Sequence, residues 1–261
     1  MSRRRSRSRL PTSKKAGAPA PVGYFSLTRL PWHNFCFLLP IVIAYEAASL
    51  RFLADPSGQV VQTVRAQRLF EEAFERFGVL GMHLPAITML TVLLLWHLLS
   101  RDSWKVRFDV LAGMAAEAAV WTFPLLMIAV ILTPGVLIQA EAGDVTTWPL
   151  GARLTISVGA GLYEELLFRM VIIAAVDFLL VDLFRLSKRV GAVGAVGVSA
   201  AAFAVYHLIP GTGFSLSWFT LYAAAGIYLG AVYLLRGFGI VVAAHALYDV
   251  LVLTILSPQQ G

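Results

Sequence analysis

Most of this 261-residue chain is written in apolar blocks of roughly 18 to 25 residues, the length at which an α-helix crosses about 30 Å of hydrocarbon. Such blocks run over about 35–54, 80–99, 108–133, 151–183, 190–209, 215–235 and 238–257. They are too long and too uniformly apolar for barrel strands, and backbone polar groups left unpaired in lipid are costly, so each block is expected to be a helix. Composition agrees: 58% hydrophobic and 14% charged residues, with a mean hydropathy of +0.75, exclude an ordinary soluble domain. The fold class expected is all-α, a polytopic transmembrane bundle of about seven to eight helices. The count turns on 151–183, which at 1.5 Å per residue would be about 50 Å long and must extend past the membrane or break.

Residues 1–31 differ from the rest. Arg3, Arg4, Arg5, Arg7, Arg9, Lys14 and Lys15 stand among Ser, Pro, Gly and Ala with little to bury, which predicts a disordered basic tail. Next to an apolar segment, such a tail reads as a positive-inside anchor against anionic lipid rather than a nucleic-acid arm. It is too long for the charged region of a signal peptide. With the tail cytoplasmic, Arg101, Lys105, Arg107, Arg185, Lys188, Arg189 and Arg236 also fall inside, while Glu141 and Asp144 fall outside. The expected location is therefore a plasma or inner membrane, crossed several times, with 32–261 as one transmembrane domain. Residues 55–78 mix Arg65, Arg68, Glu71, Glu72, Glu75 and Arg76 with Val61, Val64, Leu69, Phe70 and Phe74, as an amphipathic surface helix does. Trp32, Trp96, Trp104, Trp148 and Trp218 lie near span ends, where indoles anchor at the interface. The lone Cys36 rules out an intramolecular disulfide and any Cys-based metal site.

Ionisable residues inside spans are expensive and mark function. Three clusters stand out. In Glu164-Glu165-Leu166-Leu167-Phe168-Arg169, the i,i+4 spacing pairs Glu165 with Arg169, while Glu164 points about 100° away without a local partner and is the better candidate base. His207 closes Phe203-Ala204-Val205-Tyr206-His207, just before the helix break at Pro210-Gly211-Thr212-Gly213. In His245-Ala246-Leu247-Tyr248-Asp249 the His and Asp again share a helical face. Each cluster read singly is also compatible with a structural polar contact between helices.

Together, in this order, the three motifs resemble those of the CAAX prenyl protease and bacteriocin-processing family of intramembrane proteases. The resemblance spans about 150–257 and carries no signature in 1–150. It implies a bundle of about eight helices whose polar residues line a cavity. It further implies that Glu164 and His207 activate water and that His245 with Asp249 stabilises the oxyanion. Asp249 stands where the family's prenyl proteases often have Asn. An ionised Asp only accepts hydrogen bonds, so its expected role is to orient His245, leaving His245 as donor.

The expected activity is hydrolysis of a peptide bond in a membrane-associated protein. Membrane lipid and a protein or peptide substrate are the expected partners, without nucleic acid. Catalytic candidates are Glu164, Glu165, Arg169, His207, His245 and Asp249. A divalent metal such as zinc stays open as cofactor, with Glu164, His207, His245 and Asp249 as its ligands, although no HExxH motif is present. Two other classes compete: a proton-coupled transporter, against which the absence of internal symmetry counts, and a non-catalytic membrane scaffold or immunity protein. One tension is internal to the reading. If 215–235 crosses the whole bilayer, His207 and His245 start near opposite faces, so the Pro210–Gly213 turn is expected to dip inward. Glu46, Glu117, Asp177 and Asp182 are expected to line the cavity or its mouths without catalytic roles.

Overall fold

A computed structural model of the chain describes residues 23–55, 62–79, 81, 83–132, 145–208 and 214–256. Among them there is no strand. The order is α1 (Tyr24–Leu27), α2 (Pro31–Phe52), α3 (Arg65–Arg76), α4 (Leu84–Ser100), α5 (Phe108–Leu132), a short 3₁₀ turn (Val145–Thr147), α6 (Leu150–Glu165), α7 (Ile173–Asp177), α8 (Lys188–His207), α9 (Leu216–Arg236) and α10 (Phe238–Leu251). Four of these, α2, α5, α8 and α9, are long and apolar enough to cross a membrane, and α4 and α10 are shorter apolar helices. The expected helical bundle is therefore present. Its surface is inside-out relative to a soluble protein. Ile43, Leu99, Val120, Phe123 and Leu235 are exposed, while Glu164, Glu165, Arg169 and His245 are buried, as a lipid solvent requires.

The long stretch 150–183 neither ends nor breaks. After Glu165 the helix widens into π-type turns over Leu166–Ile172, returns to α geometry in α7, and widens again over Phe178–Leu183. The i→i+5 pattern adds a residue per turn without losing backbone hydrogen bonds, and such bulges gather at functional sites. α2 begins at Pro31, whose missing N–H costs nothing in a first turn, so the span opens four residues before the expected Phe35. The end of the presumed tail is folded too: Asn34 Nδ2 donates to the Thr28 and Leu30 carbonyls at 3.1 and 2.8 Å, and its Oδ1 accepts from Gly239 N–H. Residues 1–22 lie outside the described residues. Of the amphipathic segment expected over 55–78, Arg65–Arg76 forms α3, while 56–61 lie outside the described residues.

α10 is the central helix, enclosed by α2, α5, α6 and α9, and every residue from Phe238 to Ala246 is buried. One residue, Gly237, turns α9 into α10. Its φ of +97° suits glycine, and a Cβ there would come within 2.9 Å of the Thr28 carbonyl. Small residues bring the helix backbones together. A Cβ at Gly161 on α6 would meet the Ala246 nitrogen and the Val242 carbonyl of α10, both at 2.8 Å. These are backbone atoms, so Gly161→Ala must push α10 away. It is expected to cost about 1–3 kcal/mol and to lower the thermal unfolding midpoint in detergent; an unchanged midpoint would show that α6 and α10 do not meet through Gly161.

At one end of the bundle Trp32 stacks on His97, Trp104 packs edge-on against both, and Trp32 Nε1–H donates to the Trp104 carbonyl at 2.8 Å. Glu117 in α5 pairs with Arg236 at the end of α9 and accepts from Tyr24 Oη–H at 2.7 Å and Trp121 Nε1–H at 2.9 Å. With its carboxylate saturated in this way, Glu117 fastens α1, α5 and α9 together.

Candidate active site

The site grows from the last turn of α6. Glu165 and Arg169, four residues apart across the start of the π-type turn, form an ion pair with Nε 3.0 Å from Oε2, and both are fully buried at 0% exposure. Among the described residues the guanidinium makes no further hydrogen bond. It lies instead 4.9 Å from the ring centre of Phe203 and 5.9 Å from that of Phe168, whose faces offer a cation part of what water would. Glu165 uses its other oxygen to accept from His245 Nδ1 at 2.8 Å. A buried salt bridge on α6 thus holds the ring on α10.

Glu164 faces the opposite way. Its Oε1 accepts from Tyr206 Oη–H at 3.2 Å. Its Oε2 makes no hydrogen bond among the described residues, yet it stands 3.5 Å from His207 Nε2 and 3.9 Å from His245 Nε2. Both distances exceed a direct hydrogen bond, and a water seated beside Oε2 and either Nε2 is within reach of both. The ring protons can be placed by elimination. His207 Nδ1 lies 2.9 Å from the Phe203 carbonyl, which only accepts, so Nδ1 carries the proton. His245 Nδ1 likewise donates to the carboxylate of Glu165. Each ring therefore turns Nε2 toward Glu164. Asp249 Oδ2 lies 3.7 Å from His245 Nε2 and completes the polar rim.

These groups open on a cavity of about 160 Å³, walled otherwise by Leu125, Phe203, Leu221, Ala225 and Leu229. One water needs about 10–15 Å³ of such space, so several fit. Among the described residues no group of three or more His, Cys, Asp or Glu side chains is assembled to hold a metal ion. None of Glu46, Glu117, Asp177 and Asp182 lines this cavity. Glu46 instead accepts from Tyr163 Oη–H at 3.0 Å and contacts His83 Nδ1 at 2.5 Å.

Glu164, His207 and His245 meet despite their distant starting points because the helices are staggered. The His207 ring stacks on Tyr222 at 4.2 Å between centres, and Tyr222 is six residues into α9, about 9 Å from its start. α8 thus stops below the first turns of α9. His245 is seven residues into α10, so the single-residue turn at Gly237 sets it about 10 Å back toward the same level. The expected inward dip of Pro210–Gly213 lies outside the described residues. Two contacts were not foreseen. The i,i+4 spacing pointed to Asp249 as the partner that orients His245, whereas Nδ1 is taken by Glu165 from another helix. Tyr206, beside His207 in sequence, reaches Glu164; only its place in an ionisable motif could have signalled it.

Residues 146–251 match the family model described as type II CAAX prenyl endopeptidase Rce1-like, under half of the chain but containing all three motifs. The match and the motif resemblance point to the same group of proteases. No curated protein and no solved structure matches the chain.

Proposed function

We propose that this integral membrane protein is an intramembrane endopeptidase in which Glu164 activates water directly. The observation that carries the reading is Glu164 Oε2 turned toward the Nε2 atoms of His207 and His245 at 3.5 and 3.9 Å, at the wall of a cavity of about 160 Å³. A water among these atoms donates one proton to Oε2 and is oriented by His207. As its oxygen attacks the peptide carbonyl carbon, that proton passes to Glu164. The carbonyl oxygen becomes an oxyanion beside His245. Because Nδ1 gives its proton to Glu165, His245 donates from Nε2 only as imidazolium, and Glu165, itself held by Arg169, fixes that ring. Glu164 then returns the proton to the leaving nitrogen, the C–N bond breaks, and a carboxylic acid and an amine remain.

The match supports a peptidase of this general kind; the substrate and the mechanism are proposals. The family description names prenylated CAAX ends, which makes a prenylated C-terminal peptide the first substrate to try, with unprenylated membrane-anchored peptides beside it. The N-terminus is proposed to be cytoplasmic, and the membrane a plasma or inner membrane. The test is cleavage by the purified protein in liposomes, with and without a strong chelator. Chelation is expected to leave the rate unchanged, while His207→Ala and His245→Ala each lower it by about 10²-fold. Loss on chelation with recovery on added zinc would replace glutamate-activated water by a metal mechanism. Unaltered rates in both histidine variants would overturn the site.

A further inference from the structure

Glu164 has two carboxylate oxygens, and the surroundings treat them differently. Oε1 is capped by the Tyr206 hydroxyl; Oε2 faces the histidines. The cap is itself held from outside the membrane core. α3 docks its first turn against the end of α8. Arg65 Nη1 donates to the Tyr206 carbonyl at 2.8 Å, and its guanidinium lies 5.0 Å from the centre of the Tyr206 ring. Arg65 thus grips both the backbone and the ring of the residue whose hydroxyl donates to Glu164 Oε1 at 3.2 Å. Phe168 packs edge-on against the same ring at 5.2 Å.

α3 is seated firmly at this end. Ala66 and Gln67 are buried, Tyr45 Oη–H donates to Gln67 Oε1 at 2.5 Å, and Gln67 Nε2 donates to Glu71 Oε1 at 2.9 Å. The rest of the helix presents Arg68, Leu69, Glu72, Glu75 and Arg76 outward.

We infer that Tyr206 is a positioning residue for Glu164, and that docking of the first turn of α3 decides which oxygen of Glu164 receives the water proton. The inference rests on Glu164 being the base. With Oε1 occupied, only Oε2 is available to water, and it is the oxygen that faces His207 and His245. If α3 shifts, Arg65 releases Tyr206, the hydroxyl leaves Oε1, the carboxylate rotates, and the water loses its alignment. The surface helix thereby controls the intramembrane site.

The experiment compares steady-state cleavage of one reporter peptide by wild type, Tyr206→Phe, Arg65→Ala, the double variant and Glu164→Gln, in liposomes, with thermal unfolding of each in detergent. Tyr206→Phe keeps the ring and its packing, so kcat is expected to fall about tenfold, the worth of one hydrogen bond to a charged group, with KM and the unfolding midpoint unchanged. Arg65→Ala is expected to lower kcat about threefold, and the double variant to fall no further than Tyr206→Phe, because both act through one hydroxyl. Wild-type kcat in Tyr206→Phe, an effect on KM alone, fully additive losses, or a kcat loss matched by a drop in the midpoint would overturn the inference. If Glu164→Gln still cleaves, the base assignment fails and takes the inference with it. If Glu164→Gln is inactive and Tyr206→Phe is normal, the inference alone fails.

Discussion

Glu164→Gln is expected to abolish cleavage, by about 10³-fold or more, in a protein that remains folded. The substitution keeps the shape of the side chain and an oxygen for the Tyr206 hydroxyl, but an amide cannot take a proton from water, and general-base removal costs about 10²–10⁴ in rate. Stability should hold or rise, because Glu164 carries no short ion pair and its Oε2 is buried without a hydrogen bond among the described residues. Removing a buried carboxylate removes a desolvation cost. The measurement is single-turnover cleavage together with the unfolding midpoint. Full activity in a well-folded Glu164→Gln would end the glutamate-base reading. Inactivity with a large fall in the midpoint would instead make Glu164 a structural residue.

Arg169→Met is expected to have the largest effect on stability, about 3–5 kcal/mol. Arg169 and Glu165 are both fully buried and pair at 3.0 Å, so deleting the cation leaves the Glu165 carboxylate in a low-dielectric interior. Replacing both charges should behave differently. Glu165→Met combined with Arg169→Met removes the uncompensated charge and is expected to recover most of the lost stability, since buried pairs exchanged for apolar residues of similar volume are often neutral. It should not recover activity, because His245 Nδ1 loses the acceptor that orients its ring. Unfolding midpoints and cleavage rates of the single and double variants separate the two roles. A double variant that regains activity would show that Glu165 does not position His245.

Much of the bundle was legible because the solvent enforces it. A segment in lipid must close its own backbone hydrogen bonds, so runs such as 108–133 and 215–235 appear within a few residues of their expected bounds as α5 and α9. The amphipathic mixture over 55–78 placed α3 for the same kind of reason, since charge and apolar surface must be sorted at an interface. The Glu165–Arg169 pair was legible as local geometry, the i,i+4 stacking of one helix. Where the span began was less so, because Pro31 acts as a first-turn residue and the preceding residues fold through Asn34 rather than remain a tail.

By itself the sequence determined that the chain is a helical membrane bundle, that three of its helices carry ionisable motifs, and that Glu165 rather than Glu164 has a cation on its own helix. These are consequences of solvent, period and spacing, which act along one segment at a time. Only the tertiary structure decided that Glu164, His207 and His245 share one cavity, that Glu165 and not Asp249 takes His245 Nδ1, and that Tyr206 caps Glu164 under α3. Those contacts join residues 42 to 141 positions apart on different helices. They depend on how far α8 stops below α9 and how closely Gly161 lets α10 approach α6, and such offsets arise from packing between helices, where no periodicity within a single segment records them.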